Sequence, residues 1–158
     1  AYAAAIIQRH LFPGDMLLPA LGALLVVGGS ALAAGALILR RRGVYFSLLT
    51  LALTAMLYAV AFRWTALTGG ENGFGGVARW AVLDDPRLYY ALVAVVAFCV
   101  VWALRRFHAS PVGTVLVAVR ENEQRARFIG YDTDRYKLLA FAVSATVTGL
   151  AGVLAVFN

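Results

Sequence analysis

Apolar and polar positions along this chain fall into blocks instead of alternating. Four blocks are long: residues 16–39, between Asp15 and the triplet Arg40, Arg41 and Arg42; residues 44–62; residues 88–104; and residues 138–157. No charged side chain interrupts any of them. A hydrocarbon core of about 30 Å needs roughly 20 helical residues to cross it, within a range of about 17–25, and every block fits. Open strands would leave backbone groups unpaired in lipid. The pattern therefore predicts four membrane-spanning helices. Residues 1–8 read as the tail of a further helix. The absence of an initiator Met, together with the apolar finish at Val156 and Phe157, reads as an internal stretch of a longer membrane protein.

Composition sharpens that picture. Of 158 residues, 62% are apolar and 14% charged, against about 45–50% and about 25% in ordinary soluble domains. A globule of this length buries only about 70% of its unfolded surface. It cannot hide so much apolar side chain from water. An ordinary soluble enzyme, a disordered tail and a disulfide-stapled module are excluded, and the expected fold class is an all-α polytopic transmembrane helix bundle. Cys99, the single cysteine, lies within the third block and is expected to be a small buried hydrophobe.

The net charge of +6 sets orientation. With four alternating spans, Arg9, Arg63, Arg79 and Arg87 share one side. Arg40, Arg41, Arg42, Arg105, Arg106, Arg120, Arg125, Arg127, Arg135 and Lys137 share the other. Four acidic residues lie on each side, so they do not decide the matter. Basic residues accumulate on cytoplasmic loops, which puts residues 40–43 and 105–137 in the cytoplasm of a bacterial or archaeal-type plasma membrane. Because the charges punctuate apolar runs, headgroup contact explains them and no nucleic-acid partner is implied.

Candidate chemistry is sparse. No span contains His, Asp or Glu, which removes the acid, base and metal ligands an intramembrane enzyme would need. An ion-coupled carrier usually places ionisable groups at that depth. His10 and His108 lie outside the blocks, and Asp84-Asp85 before Pro86 reads as a turn. A purely structural membrane subunit is the other alternative. Ser47, Thr50, Thr54 and Tyr58 share one face of the second span. Either they line a polar route, or their hydroxyls bond back to helix carbonyls. Ala31 with Gly35, and Thr148 with Gly152 or Ala145 with Gly149, have the four-residue spacing of close helix packing.

The loops differ in kind. Thr68, Gly69, Gly70, Glu71, Asn72 and Gly73 open a glycine-rich outer loop that ends Phe74-Gly75-Gly76-Val77-Ala78. It lacks the Lys-Ser or Lys-Thr of a P-loop, and no strand precedes its imperfect dinucleotide-like spacing. A structured turn near a substrate route is what remains. The 33-residue inner segment, 105–137, carries a helix-start signal at Ser110-Pro111 and a stop at Gly130. A single helix from about Val112 to Ile129 is expected. Val112, Val115, Leu116, Val119 and Ala126 would form its apolar stripe, beside the mixed charges of residues 120–127. Mixed sign favours a protein surface over anionic lipid.

The run Arg120-Glu121-Asn122-Glu123-Gln124-Arg125-Ala126, followed by Gly130-Tyr131, Arg135-Tyr136-Lys137-Leu138-Leu139-Ala140-Phe141 and Gly149-Leu150-Ala151-Gly152, resembles the permease subunits of branched-chain amino-acid ABC importers, most of all the LivM type. Arg42-Gly43-Val44-Tyr45-Phe46, Leu49-Thr50-Leu51-Ala52 and Thr68-Gly69-Gly70-Glu71-Asn72-Gly73 are similar to the same family's second span and outer loop. The likeness covers nearly the whole chain, as the middle half of a full subunit. It implies an importer of branched-chain or other hydrophobic amino acids, with a urea or short-amide permease as the alternative. It also implies a second permease subunit, two cytoplasmic ATP-binding subunits that use ATP and Mg, and an extracytoplasmic substrate-binding protein. The chain itself would bind no cofactor. Arg120, Glu121, Asn122, Glu123, Gln124, Arg125 and Gly130 would contact the ATPase. Ser47, Thr50, Thr54, Tyr58, Thr68, Gly69 and Gly70 would lie along the substrate pathway. The longer glycine run through Phe74-Gly75-Gly76 departs from the family's usual pattern.

Overall fold

The computed structural model describes residues 1–11, 15–39, 44–68 and 85–157. Among the described residues every regular element is helical: α1 (Tyr2–His10), α2 (Leu17–Ile38), α3 (Val44–Arg63), α4 (Thr65–Thr68), α5 (Pro86–His108), α6 (Pro111–Glu121), α7 (Glu123–Phe128) and α8 (Thr133–Val156). The Arg40–Arg42 triplet and the outer glycine loop, with Gly69 and Gly70, lie outside the described residues.

Side chains at the helix entries explain where the later elements begin. Asp85 caps α5 by accepting from the Arg87 N–H at 2.9 Å, and Pro86 fills the first position, where no N–H is needed. Ser110 and Pro111 repeat the device at α6. Asp132 caps α8 by accepting from the Arg135 N–H at 3.3 Å. That cap starts α8 five residues before the apolar block, and α5 runs on through Arg105, Arg106 and His108. An apolar block marks the depth of hydrocarbon, and a helix continues past it into the headgroups.

The principal packing is α2 against α8, antiparallel. A β-carbon built on Gly35 would lie 2.8 Å from Leu138 Cδ1 and 2.9 Å from Phe141 Cδ1; one on Gly149 would lie 2.9 Å from Val27 Cγ1. Without a hydrophobic drive between helices in lipid, this close approach is what holds them. The small residues Ala31, Gly35 and Gly149 therefore pack as their spacing predicts, whereas Thr148 faces outward and bonds the Ser144 carbonyl at 2.9 Å. At one end of the bundle α1, α2, α5 and α8 converge on a core of Ala4, Met16, Ala23, Tyr89, Val153 and Phe157. There the Tyr89 hydroxyl donates to the Leu154 carbonyl, one of the last-turn carbonyls a helix cannot satisfy by itself.

Most of the long helices' surface is left uncovered by the described residues. Leu25, Tyr90, Phe98 and Trp102 are all exposed. In water such continuous apolar exposure would drive association; within a bilayer, lipid or another apolar helix can cover it. Four helices are long and apolar enough to cross a bilayer. Cys99 corrects the expectation of burial: it is exposed on α5. An apolar run tells that a helix is in lipid but not which face meets protein.

Candidate functional site

The inner segment leaves α5 through a tight corner. Ser110 Oγ donates to the Phe107 carbonyl at 2.6 Å and accepts from the Gly113 N–H at 3.3 Å, so one hydroxyl fastens the end of α5 to the start of α6. Gly113 is buried there, and a β-carbon on it would sit 2.1 Å from the His108 carbonyl oxygen and 2.6 Å from its carbon. Only glycine fits so near another backbone. From this corner α6 packs on α5, α7 and α8. Val119 and Ala126 of the expected stripe are buried, and Val112, Val115 and Leu116 are half-buried.

The expected single helix from Val112 to Ile129 is corrected to two. Asn122 is extended (φ −153°, ψ 97°), ends α6 and caps α7, its Oδ1 accepting from the Arg125 N–H at 2.9 Å. An Asn side chain competes for backbone donors, and here the cap outweighs continuation. At the far end Gly130 has φ +101°; its N–H donates to the Arg127 carbonyl and that of Tyr131 to Ala126. This pair of reverse bonds is a Schellman stop, whose residue after the C-cap favours glycine.

The predicted contact residues divide between two faces. Arg120, Glu121, Asn122, Gln124, Arg125 and Gly130 are exposed. Beside them, and missed by sequence reasoning, Phe128 is 91% exposed and Ile129 69% exposed. Glu123 turns the other way. Its carboxylate takes Lys137 Nζ at 2.7 Å and Arg127 Nη2 at 3.2 Å. Arg127 also donates to both oxygens of Asp134 at 2.8 Å and, through Nε, to Thr133 Oγ1 at 2.7 Å. Sequence reasoning missed Arg127, Thr133, Asp134 and Lys137 in this role.

A family model described as "Branched-chain amino acid transport system / permease component" matches residues 1–158. The chain belongs to this permease family. It is 30% identical over 160 residues to the high-affinity branched-chain amino acid transport system permease protein LivM of Escherichia coli (strain K12), an alignment covering 82% of this chain and 38% of that protein. The corresponding LivM of Salmonella typhimurium is 27% identical over 144 residues, covering 74% of this chain and 34% of that one. The chain thus spans under two-fifths of the length of the curated relatives it matches. No solved structure matches it. Family and architecture together make it a multi-pass membrane permease component, not an enzyme.

In this permease-family chain the polar stripe of α3 is internally bonded. Thr50 Oγ1 donates to the Phe46 carbonyl at 2.8 Å and Thr54 Oγ1 to the Thr50 carbonyl at 2.9 Å. Ser47, Thr54 and Tyr58 are exposed, and Tyr58 stacks on Phe62 of the same helix with centroids 6.1 Å apart. Thr68 is buried, its hydroxyl on the Ala61 and Trp64 carbonyls. Among the described residues no His, Cys, Asp and Glu cluster could hold a metal.

Proposed function

We propose that this chain is the central part of the transmembrane permease subunit of an ATP-driven importer for branched-chain or other hydrophobic amino acids. In this reading α6 and α7 are its contact with a cytoplasmic ATP-binding subunit. The observation that carries the reading is the outward face of that pair: Phe128 and Ile129 stand exposed beside Arg120, Glu121, Gln124 and Arg125, on a segment capped at both ends. Burying one such apolar side chain is worth about 2 kcal/mol, and surrounding charges of both signs give a protein partner register. Ten basic residues on the same side orient this face to the cytoplasm of a bacterial or archaeal-type inner membrane.

The remaining components follow from the same reading. A second permease subunit completes the pathway, an extracytoplasmic binding protein delivers solute, and the two ATP-binding subunits carry ATP and Mg, so this chain holds no cofactor. Movement of those subunits on hydrolysis shifts the spans as bodies and opens the path to either side in turn. The test uses the full-length subunit reconstituted with its partners. Phe128→Asp, and separately Glu121→Arg with Arg125→Glu, leave membrane insertion intact and abolish ATP-driven leucine uptake. Normal uptake in both, or uptake competed by urea and not by leucine, overturns the reading.

A further inference from the structure

The inner face of α7 is as organised as its outer face. Glu123 lies in the first turn of α7 and Arg127 in its last; Asp134 and Lys137 lie in the first turns of α8. Arg127 reaches across the intervening corner: its Nη2 lies 2.8 Å from both oxygens of Asp134 while its Nε donates to Thr133, two contacts from one planar guanidinium that lysine's single nitrogen does not reproduce. Lys137 reaches back to Glu123 at 2.7 Å, so the two elements are tied in both directions. Thr133, 1% exposed, accepts from Arg127 at 2.7 Å and faces Glu123 at 3.5 Å. Two cations and two carboxylates balance, and both oxygens of each carboxylate are engaged.

We infer that these five side chains form a clasp that makes α7 and the start of α8 one rigid body, with Arg127 as its positioning residue. This rests on the reading of α6 and α7 as the ATPase contact, and adds how a push on that contact reaches the membrane. A single exposed ion pair holds little, but a cluster tied in both directions around a shielded hydroxyl holds geometry. One residue beyond the clasp, Leu138 lies against Gly35 of α2. Displacement of α7 is thus passed to the α8–α2 pair instead of being absorbed at the Gly130 turn. Glu123, grouped by sequence with the outward contacts, belongs to this inner set.

The test uses the complete transporter in proteoliposomes. Hydrogen exchange of the α7 amides reports rigidity, and solute moved per ATP hydrolysed reports coupling. Arg127→Ala speeds exchange over residues 125–129 by about tenfold and lowers solute per ATP by about tenfold, with the ATP-binding subunits still bound. Arg127→Lys keeps the charge but loses the separate Nε bond to Thr133 and falls between. Lys137→Ala, which removes one tie, gives the same pattern more weakly. Unchanged exchange in Arg127→Ala, or faster exchange with unchanged solute per ATP, overturns the clasp. Failure of the docking reading has a separate signature: a photoreactive group placed at Phe128 of the otherwise unmodified protein would not cross-link to an ATP-binding subunit.

Discussion

Replacing Gly113 by alanine adds one methyl group and tests the α5–α6 corner directly. That methyl would stand 2.1 Å from the His108 carbonyl oxygen, where real contacts essentially never fall below 3.0 Å. The obstacle is backbone on every side, since the next nearest atoms are the His108 carbon and the Phe107 oxygen. No rotamer change relieves it; the corner must open by about 1 Å. Opening breaks the Ser110 cap, at about 1 kcal/mol, and strands the backbone bonds made by Ser110 and Thr114, at about 1 kcal/mol each. Alanine's better helix propensity returns about 1 kcal/mol, so the net loss is about 2 kcal/mol, or about 5 °C in Tm for a chain of this size. The assay is the temperature at which detergent-purified protein loses its monodisperse elution peak. The matched control is Gly29→Ala, since a β-carbon at Gly29 meets nothing within 4 Å. Gly113→Ala melting no lower than Gly29→Ala would refute the reasoning.

Other residues give sharper local tests. Gly35→Ala makes Leu138 and the Phe141 ring give way and costs about 1 kcal/mol, whereas Gly35→Leu forces α2 off α8 and costs about 3 kcal/mol in the same thermal assay. Asn122→Ala removes the cap of α7 and costs about 1 kcal/mol, read as faster hydrogen exchange at Glu123, Gln124 and Arg125. Thr54→Val loses only a bond to its own helix, so uptake by the assembled transporter changes by less than about twofold; a large fall would return the α3 stripe to the substrate route.

The membrane helices were legible because lipid imposes a strict rule: a charge-free run of about 20 residues has few other outcomes. Their ends were less so. Asp132 and Asp85 act as caps outside the apolar blocks, and hydropathy does not weigh a carboxylate two or three residues before an N–H. The packing positions Gly35 and Gly149 carried a spacing signal, but the spacing did not say that the partner of Gly35 would be Leu138. Cys99 was misjudged for the same reason, since lipid and protein are equally apolar neighbours.

In the inner segment, propensity misled. Arg-Glu-Asn-Glu-Gln-Arg reads as continuous helix, and the one discordant residue, Asn122, is where it breaks. Nothing local distinguishes Glu123 from Glu121 as charges. The difference appears only when the Gly130 turn folds Asp134 and Lys137 back toward α7. Phe128 and Ile129 fall next to that turn, so an apolar pair that pattern alone would assign to a core ends up at the tip.

The proposed docking requires residues 120–130 to face the cytoplasm and touch an ATP-binding subunit. The most direct measurement is photocross-linking from position 128 in inside-out vesicles holding the full-length subunit and its partners. A cross-linked band containing the ATP-binding subunit is the predicted result. Cross-links to lipid alone, or labelling of position 128 only from the opposite face of the membrane, would contradict it.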